Sequence, residues 1–163
     1  MARISRDQLF IRAAHLWAKR STCERGHVGA VIVRDRRIIS TGYNGAPPGM
    51  PHCEDVGCEI NALEDLARIG AQLQGQEFDS LGCQRTIHAE ANAIAFAAAE
   101  GISTRGAIMY CTHSPCKRCA MEMISAGIME FRYFKQYRLT PWQYLNEANM
   151  IWSQVDRGGM IDE

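Results

Sequence analysis

A chain of 163 residues, 47% hydrophobic and 22% charged, is the length of one domain with a substantial core. Its 18 Lys and Arg balance 18 Asp and Glu, so no net field steers it towards nucleic acid, although a local basic pocket for a small anion stays open. No apolar run reaches membrane-spanning length and no export signal opens the chain; seven cysteines in that setting fit metal thiolates in a reducing cytoplasm better than disulfides.

In chain order, Ser5 reads as the cap of an amphipathic helix with Leu9, Ala13, Leu16 and Trp17 at helical spacing, ending near Ser21-Thr22. Val28 to Val33 is a continuous apolar run, hence a buried strand; Arg34 to Arg37 is a wet charged turn, and Ile38 to Tyr43 the return strand of a β-hairpin. Asn44 to Gly49 is a rigid loop. It leads into a loop-and-helix insertion at about 46–83, with a short helix within 60–75, so that residues 1–163 form a single domain.

Thr86 to Glu100 is an alanine-rich helix stopped by Gly101, with small residues suited to close approach to a sheet. Ala107 to Tyr110 is a strand, Pro115 starts a helix closed by Gly127, and Ile128 to Phe134 is the next strand. Thr140-Pro141 reads as a cap and first-turn proline for a helix through Ala148, with Asn149 a left-handed cap. Met150 to Val155 is the fifth strand, and the tail after Gly158-Gly159 is loose. A hairpin followed by strand–helix–strand units predicts an α/β fold, a three-layer αβα sandwich with a mixed five-stranded sheet and parallel pairing from residue 107 onwards. Trp17, Trp142 and Trp152 read as packing or subunit-contact residues rather than base-stacking platforms.

The chemistry concentrates in His88-Ala89-Glu90 and Pro115-Cys116-Lys117-Arg118-Cys119. One imidazole and two thiolates make a tetrahedral zinc site with a fourth position for water. An ion so held lowers the pKa of its water, and Glu90, two residues from the ligand His88, is placed to move protons. This H-x-E and P-C-x-x-C pair is the signature of zinc nucleobase deaminases. Both halves fall at helix N-termini, which favour thiolate. His52, Cys53, Cys58 and Cys83 offer ligands for a second, structural Zn2+ that would staple the insertion; Cys23 reads as inert.

Beyond that pair, the runs Cys23 to Ala30, Gly42 to Pro47, His52 to Cys58, Cys83 to Ile94 and Thr112 to Ala120 together resemble the deoxycytidylate (dCMP) deaminases, within the cytidine deaminase-like fold. The resemblance implies a hydrolase acting on a cyclic amidine, in pyrimidine nucleotide biosynthesis. It would convert dCMP to dUMP with release of ammonia and so supply dUMP for thymidylate synthesis. It assigns catalytic Zn2+ to His88, Cys116 and Cys119 and proton transfer to Glu90. It assigns the 5′-phosphate to Arg25, the deoxyribose to Asn44, and cover over the sugar-phosphate to Tyr137, with Ala89, His113 and Ser114 also against the substrate, backbone groups near the last two orienting the amino group. It further implies a cytoplasmic homo-oligomer, commonly a homohexamer (in host cytoplasm if phage-encoded). Allosteric activation by dCTP and inhibition by dTTP, with Mg2+ accompanying the triphosphate, belong to the same expectation. The alternatives are a deaminase of 5-methyl-dCMP, 5-hydroxymethyl-dCMP or dCTP, an editing enzyme for polynucleotides, which neutral charge disfavours, and a non-catalytic zinc or nucleotide-binding homologue, which would not need Glu90.

Overall fold

The computed structural model describes residues 3–59, 83, 85–137 and 140–156. The helix expected within 60–75, most of the 46–83 insertion and the tail after Gly158-Gly159 lie outside the described residues. Helix α1 spans Arg6–Ala18 and is capped as expected. Ser5 Oγ accepts the Gln8 amide N–H, and the Gln8 side chain accepts the Ser5 N–H in return. The helix stops three residues short of Ser21, in a turn closed by the Arg20 and Ser21 amides.

Strands β1 (Gly29–Arg34) and β2 (Arg37–Tyr43) form the predicted hairpin. Its turn narrows to Asp35 and Arg36, both at positive φ (51° and 65°), the two-residue turn whose twist matches the strands. Arg34 is not left to solvent, because its guanidinium donates to the Ser103 carbonyl. After the short helix α2 (Cys53–Val56) come α3 (Ala89–Ala99), β3 (Ile108–His113), α4 (Lys117–Ser125), β4 (Glu130–Lys135), α5 (Trp142–Glu147) and β5 (Ile151–Gln154). The sheet runs β2-β1-β3-β4-β5, antiparallel across β2-β1-β3 and parallel across β3-β4-β5. This is the mixed five-stranded sheet read from the sequence.

Alternation along the strands divides the core. Phe10, Ile11 and Ala14 of α1 pack on Val31, Val33 and Tyr110 on one face. On the other face Ala89, Ala93, Ala120, Met123 and Leu145 of α3, α4 and α5 cover Ala30, Ile32, Met109, Cys111 and Phe131. The tryptophans pack as expected: Trp142 lies 4.3 Å from Trp152, and Trp17 stacks on Tyr43.

Three helix starts differ from the expectation, each for a backbone reason. Ile87 forms an isolated bridge with Gly45, exchanging both amide hydrogen bonds. That holds residues 86–88 extended, so α3 begins at Ala89 and His88 becomes its N-cap (φ −74°, ψ 157°). Helix α4 likewise starts after Cys116, its N-cap, rather than at Pro115. Thr140 does not cap α5; its hydroxyl donates to the Tyr137 carbonyl, and Pro141 occupies the cap position.

Two glycines allow helices to touch the sheet. A Cβ on Gly29 would stand 2.0 Å from the Ala14 carbonyl oxygen of α1, and one on Gly42 would stand 2.3 Å from the Ala89 oxygen of α3. Neither neighbour can yield, because both are helical backbone. Overpacking of this kind costs about 1–3 kcal/mol even against side chains, and about 2–4 °C of Tm per kcal/mol at this chain length. The expected outcome for Gly42→Ala is therefore a Tm lowered by several degrees together with weakened metal retention, checked by calorimetry and metal analysis of the same preparation.

Candidate active site

Helices α3 and α4 meet at their N-terminal ends, and there the three expected ligands converge. His88 Nδ1 lies 3.3 Å from Cys119 Sγ and 3.5 Å from Cys116 Sγ. All three ligand atoms fall within 4.8 Å of one another, which no other trio of His, Cys, Asp or Glu achieves among the described residues. The Cys116 thiol is brought down to about 4, first by its hydrogen bond with Cys119 and then, against the cost of burial, by His88. Its position at the cap of α4 works in the same direction. His88 is raised to about 9, chiefly by its hydrogen bond to Cys116. Cys119 is pushed well above the ordinary thiol range by the hydrogen bond it shares with Cys116 and by burial. The two sulfurs thus share a proton that a divalent cation would displace, and an imidazole with two thiolates is the donor set zinc prefers.

Glu90 sits in the first turn of α3, only 4% exposed. Burial raises its carboxyl to about 7, with the His88 charge opposing. A carboxyl in that range both takes and returns a proton near neutral pH.

These groups form one end of a cavity of about 620 Å³. Its walls include every residue singled out for substrate: Arg25, Asn44, Ala89, His113, Ser114 and Tyr137. Their free valences differ from the expectation in two places. Asn44 is buried and already used structurally: Oδ1 accepts the Val28 amide at 2.8 Å and Nδ2 donates to the Gly26 carbonyl at 2.8 Å. One N–H and one lone pair remain for a ligand, and the two bonds hold the loop that carries Arg25. Ser114 is more fully committed. Its amide donates to the Lys135 carbonyl, and its hydroxyl accepts the Tyr137 amide at 2.6 Å. Since Thr140 gives its own proton to the Tyr137 carbonyl, the Ser114 hydroxyl donates to Thr140 Oγ1 at 2.6 Å. Ser114 thus keeps no side-chain proton for a substrate, which leaves its carbonyl and one hydroxyl lone pair as acceptors, and its side chain pins Tyr137 at the cavity wall.

The other cysteines only partly meet the expectation. Cys53 Sγ lies 3.6 Å from Cys83 Sγ. Burial would raise Cys83, but the backbone at Glu59 and Arg85 and hydrogen bonds from Cys58 and Cys53 bring it to about 7. Burial raises Cys53 to about 12, and it feels Cys83, Cys23 and Cys58 in turn. Cys23, read as inert, is buried and reaches this group only through its charge on Cys53. His52 turns away from the group, with Nδ1 3.2 Å from Thr22 Oγ1.

The zinc-binding region shared by cytidine and deoxycytidylate deaminases matches residues 4–135. The chain belongs to that deaminase family. Among similar proteins, ComE operon protein 2 of Bacillus subtilis is 40% identical over 163 residues, 99% of this chain and 77% of that protein. The deoxycytidylate deaminase of Mycobacterium phage D29 is 38% identical over 138 residues, covering 83% of this chain and 99% of the phage enzyme. The Schizosaccharomyces pombe deoxycytidylate deaminase has the same identity, but the chain spans only 39% of its length. The crystal structure of dCMP deaminase from cyanophage S-TIM5, in complex with dCMP and dUMP, matches with a TM-score of 0.73 at 25% identity, covering 95% of this chain and 100% of that one. Among the described residues no helix is long and apolar enough to cross a membrane.

Reading the sequence missed Lys135 and Gln136, which also line the deaminase cavity. Lys135 ends β4 as the register partner of His113, one residue past the strand as predicted. The carboxyl ends of parallel strands are where open α/β sheets bind ligands, and that rule would have found it. Metal analysis checks the ligand assignment: Cys119→Ser is expected to lose one equivalent of zinc relative to the unaltered chain, whereas Glu90→Gln keeps it.

Proposed function

We propose that this deaminase hydrolyses dCMP to dUMP and ammonia, supplying dUMP for thymidylate synthesis. The observation that carries the reading is the meeting, in one cavity, of a buried carboxyl poised near neutrality with a His–Cys–Cys zinc set at one end and an arginine without a carboxylate partner among the described residues on its wall. A zinc ion on His88, Cys116 and Cys119 supplies Lewis-acid activation of water. The chain's own residues do the rest. Glu90 takes the proton of the attacking water, protonates N3 of the cytosine, and delivers a proton to the departing amine; the balance is dCMP and water to dUMP and ammonia. The Ser114 carbonyl accepts from the exocyclic amine. Asn44 offers its remaining N–H and lone pair to the deoxyribose, and Tyr137, held by Ser114 and Thr140, covers the sugar-phosphate.

Arg25 is exposed and lines the cavity. A planar guanidinium grips a phosphate by two parallel hydrogen bonds, which suits the nucleotide over the nucleoside. A second, structural zinc on Cys53, Cys58 and Cys83 is supported only pairwise, by the 3.6 Å approach of Cys53 to Cys83 and the hydrogen bond of Cys58 to Cys83, and Cys53→Ser is expected to remove one equivalent of metal without touching His88. A homo-oligomer, hexameric by resemblance, and control by dCTP and dTTP with Mg2+ rest on the family alone.

Ammonia release from dCMP, deoxycytidine, dCTP and 5-methyl-dCMP tests the substrate. Turnover of dCMP far above deoxycytidine is expected, and preference for a substituted or triphosphorylated nucleotide would overturn the assignment. Charge-assisted hydrogen bonds are worth about 1.5–3 kcal/mol, so Arg25→Gln is expected to lower kcat/KM for dCMP by roughly 10–100-fold. Deoxycytidine turnover should stay as it was.

A further inference from the structure

At the carboxyl ends of β3 and β4, His113 and Lys135 are parallel register partners, and both line the cavity. Behind His113 lies Thr112, 1% exposed. The Gly29 amide donates to Thr112 Oγ1 at 3.2 Å, and the same oxygen lies 3.0 Å from His113 Nδ1. A threonine hydroxyl has one proton to give. Gly29 is a donor and cannot receive it. The sulfur of Cys111, which also neighbours the hydroxyl, is a weak acceptor. Among the described residues the remaining acceptor in hydrogen-bonding reach of that hydroxyl is His113 Nδ1. Nδ1 is then unprotonated, and the proton of the neutral ring sits on Nε2. Burial and, after it, the Lys135 charge lower the pKa of His113, in keeping with a neutral ring.

The charges around the ring match this arrangement. Among the described residues Glu90 is the one acidic side chain lining the cavity, and it lies at the metal-ligand end. Neither Arg25 nor Lys135 has a carboxylate within ion-pair distance among the described residues. We propose that Thr112 is a positioning residue that holds His113 in the Nε2–H tautomer, and that this N–H and the Lys135 ammonium together bind a phosphate oxygen of the nucleotide. The proposal rests on the nucleotide-deaminase reading only for what carries the phosphate.

Two-bond proton–nitrogen spectra of 15N-labelled protein, purified with its metal, read the tautomer directly, with His113→Asn identifying the ring among the five histidines. An Nε2-protonated His113 is expected. Thr112→Val should redistribute the ring proton, and Thr112→Ser should restore it even if the valine variant folds poorly. Inorganic phosphate should shift the His113 ring signals, and shift them less in Lys135→Gln. Loss of one such contact is worth about tenfold, so KM for dCMP is expected to rise by about that factor in Thr112→Val, with kcat within about twofold. A His113 protonated at Nδ1 in the unaltered protein overturns the proposal, as does a ring unmoved by phosphate. Both spectra are read without turnover, so failure to deaminate dCMP would sink the substrate assignment and leave this test standing.

Discussion

The contact between α3 and β2 is the constraint from which the active site follows. Because Gly42 has no side chain, the backbone of Ala89 and Ala93 lies directly on the strand. Two polar bonds then fix the helix: Ser40 Oγ donates to the Ala93 carbonyl at 2.6 Å, and Asn92 Nδ2 donates to the Tyr43 carbonyl at 2.8 Å. The Ile87–Gly45 bridge sets the direction of entry. With rotation and entry both determined, His88 can only be the cap and Glu90 can only lie inside, buried beside the thiols that α4 brings from the end of β3. A helix held off by one methyl group would carry both residues away from Cys116 and Cys119.

That placement explains the electrostatics. A carboxyl, an imidazole and two thiols crowded into a poorly hydrated corner cannot all adopt their solution protonation states. One sulfur becomes the anion, the imidazole takes a proton against it, and Glu90 stays poised between its forms. The outer wall is organised differently, by hydroxyls whose protons are all assigned. Ser114 and Thr140 tie the chain after β4 to the chain before α4, so Tyr137 is held to the same segment that leads into the metal cysteines. Asn44 does the equivalent service for the loop bearing Arg25. Several residues that look like ligand contacts in the sequence are thus partly or wholly braces, and the groups they brace are the ones free to meet a substrate.

Much of this was legible in the chain itself. A continuous apolar run and the charged turn after it marked the hairpin, and helix stops bounded the later strands, because a strand buried on both faces reads as an unbroken apolar run. Helix stops at Gly101 and Gly127 and the left-handed Asn149 followed from local backbone chemistry, and the structure bears them out. The starts of α3, α4 and α5 were less legible, since a bridge from Gly45 or a hydroxyl bonded across to Tyr137 is a long-range event that no local cap signal reports. His52 illustrates the same limit: thirty residues from Thr22 in sequence, it meets the Thr22 hydroxyl only because the loops after α1 and β2 fold onto each other.

The sequence by itself determined the donor types and their chemistry: an imidazole and two thiols at helix starts, and a carboxyl two residues from the imidazole, because side-chain identity and helical spacing are local properties. Tertiary structure decided which valences remained free. Register on parallel strands put Lys135 beside His113, and the approach of Gly29 to Thr112 set the hydroxyl's single proton towards His113. Hydrogen-bond satisfaction and burial depend on every neighbour at once, so no motif could state them.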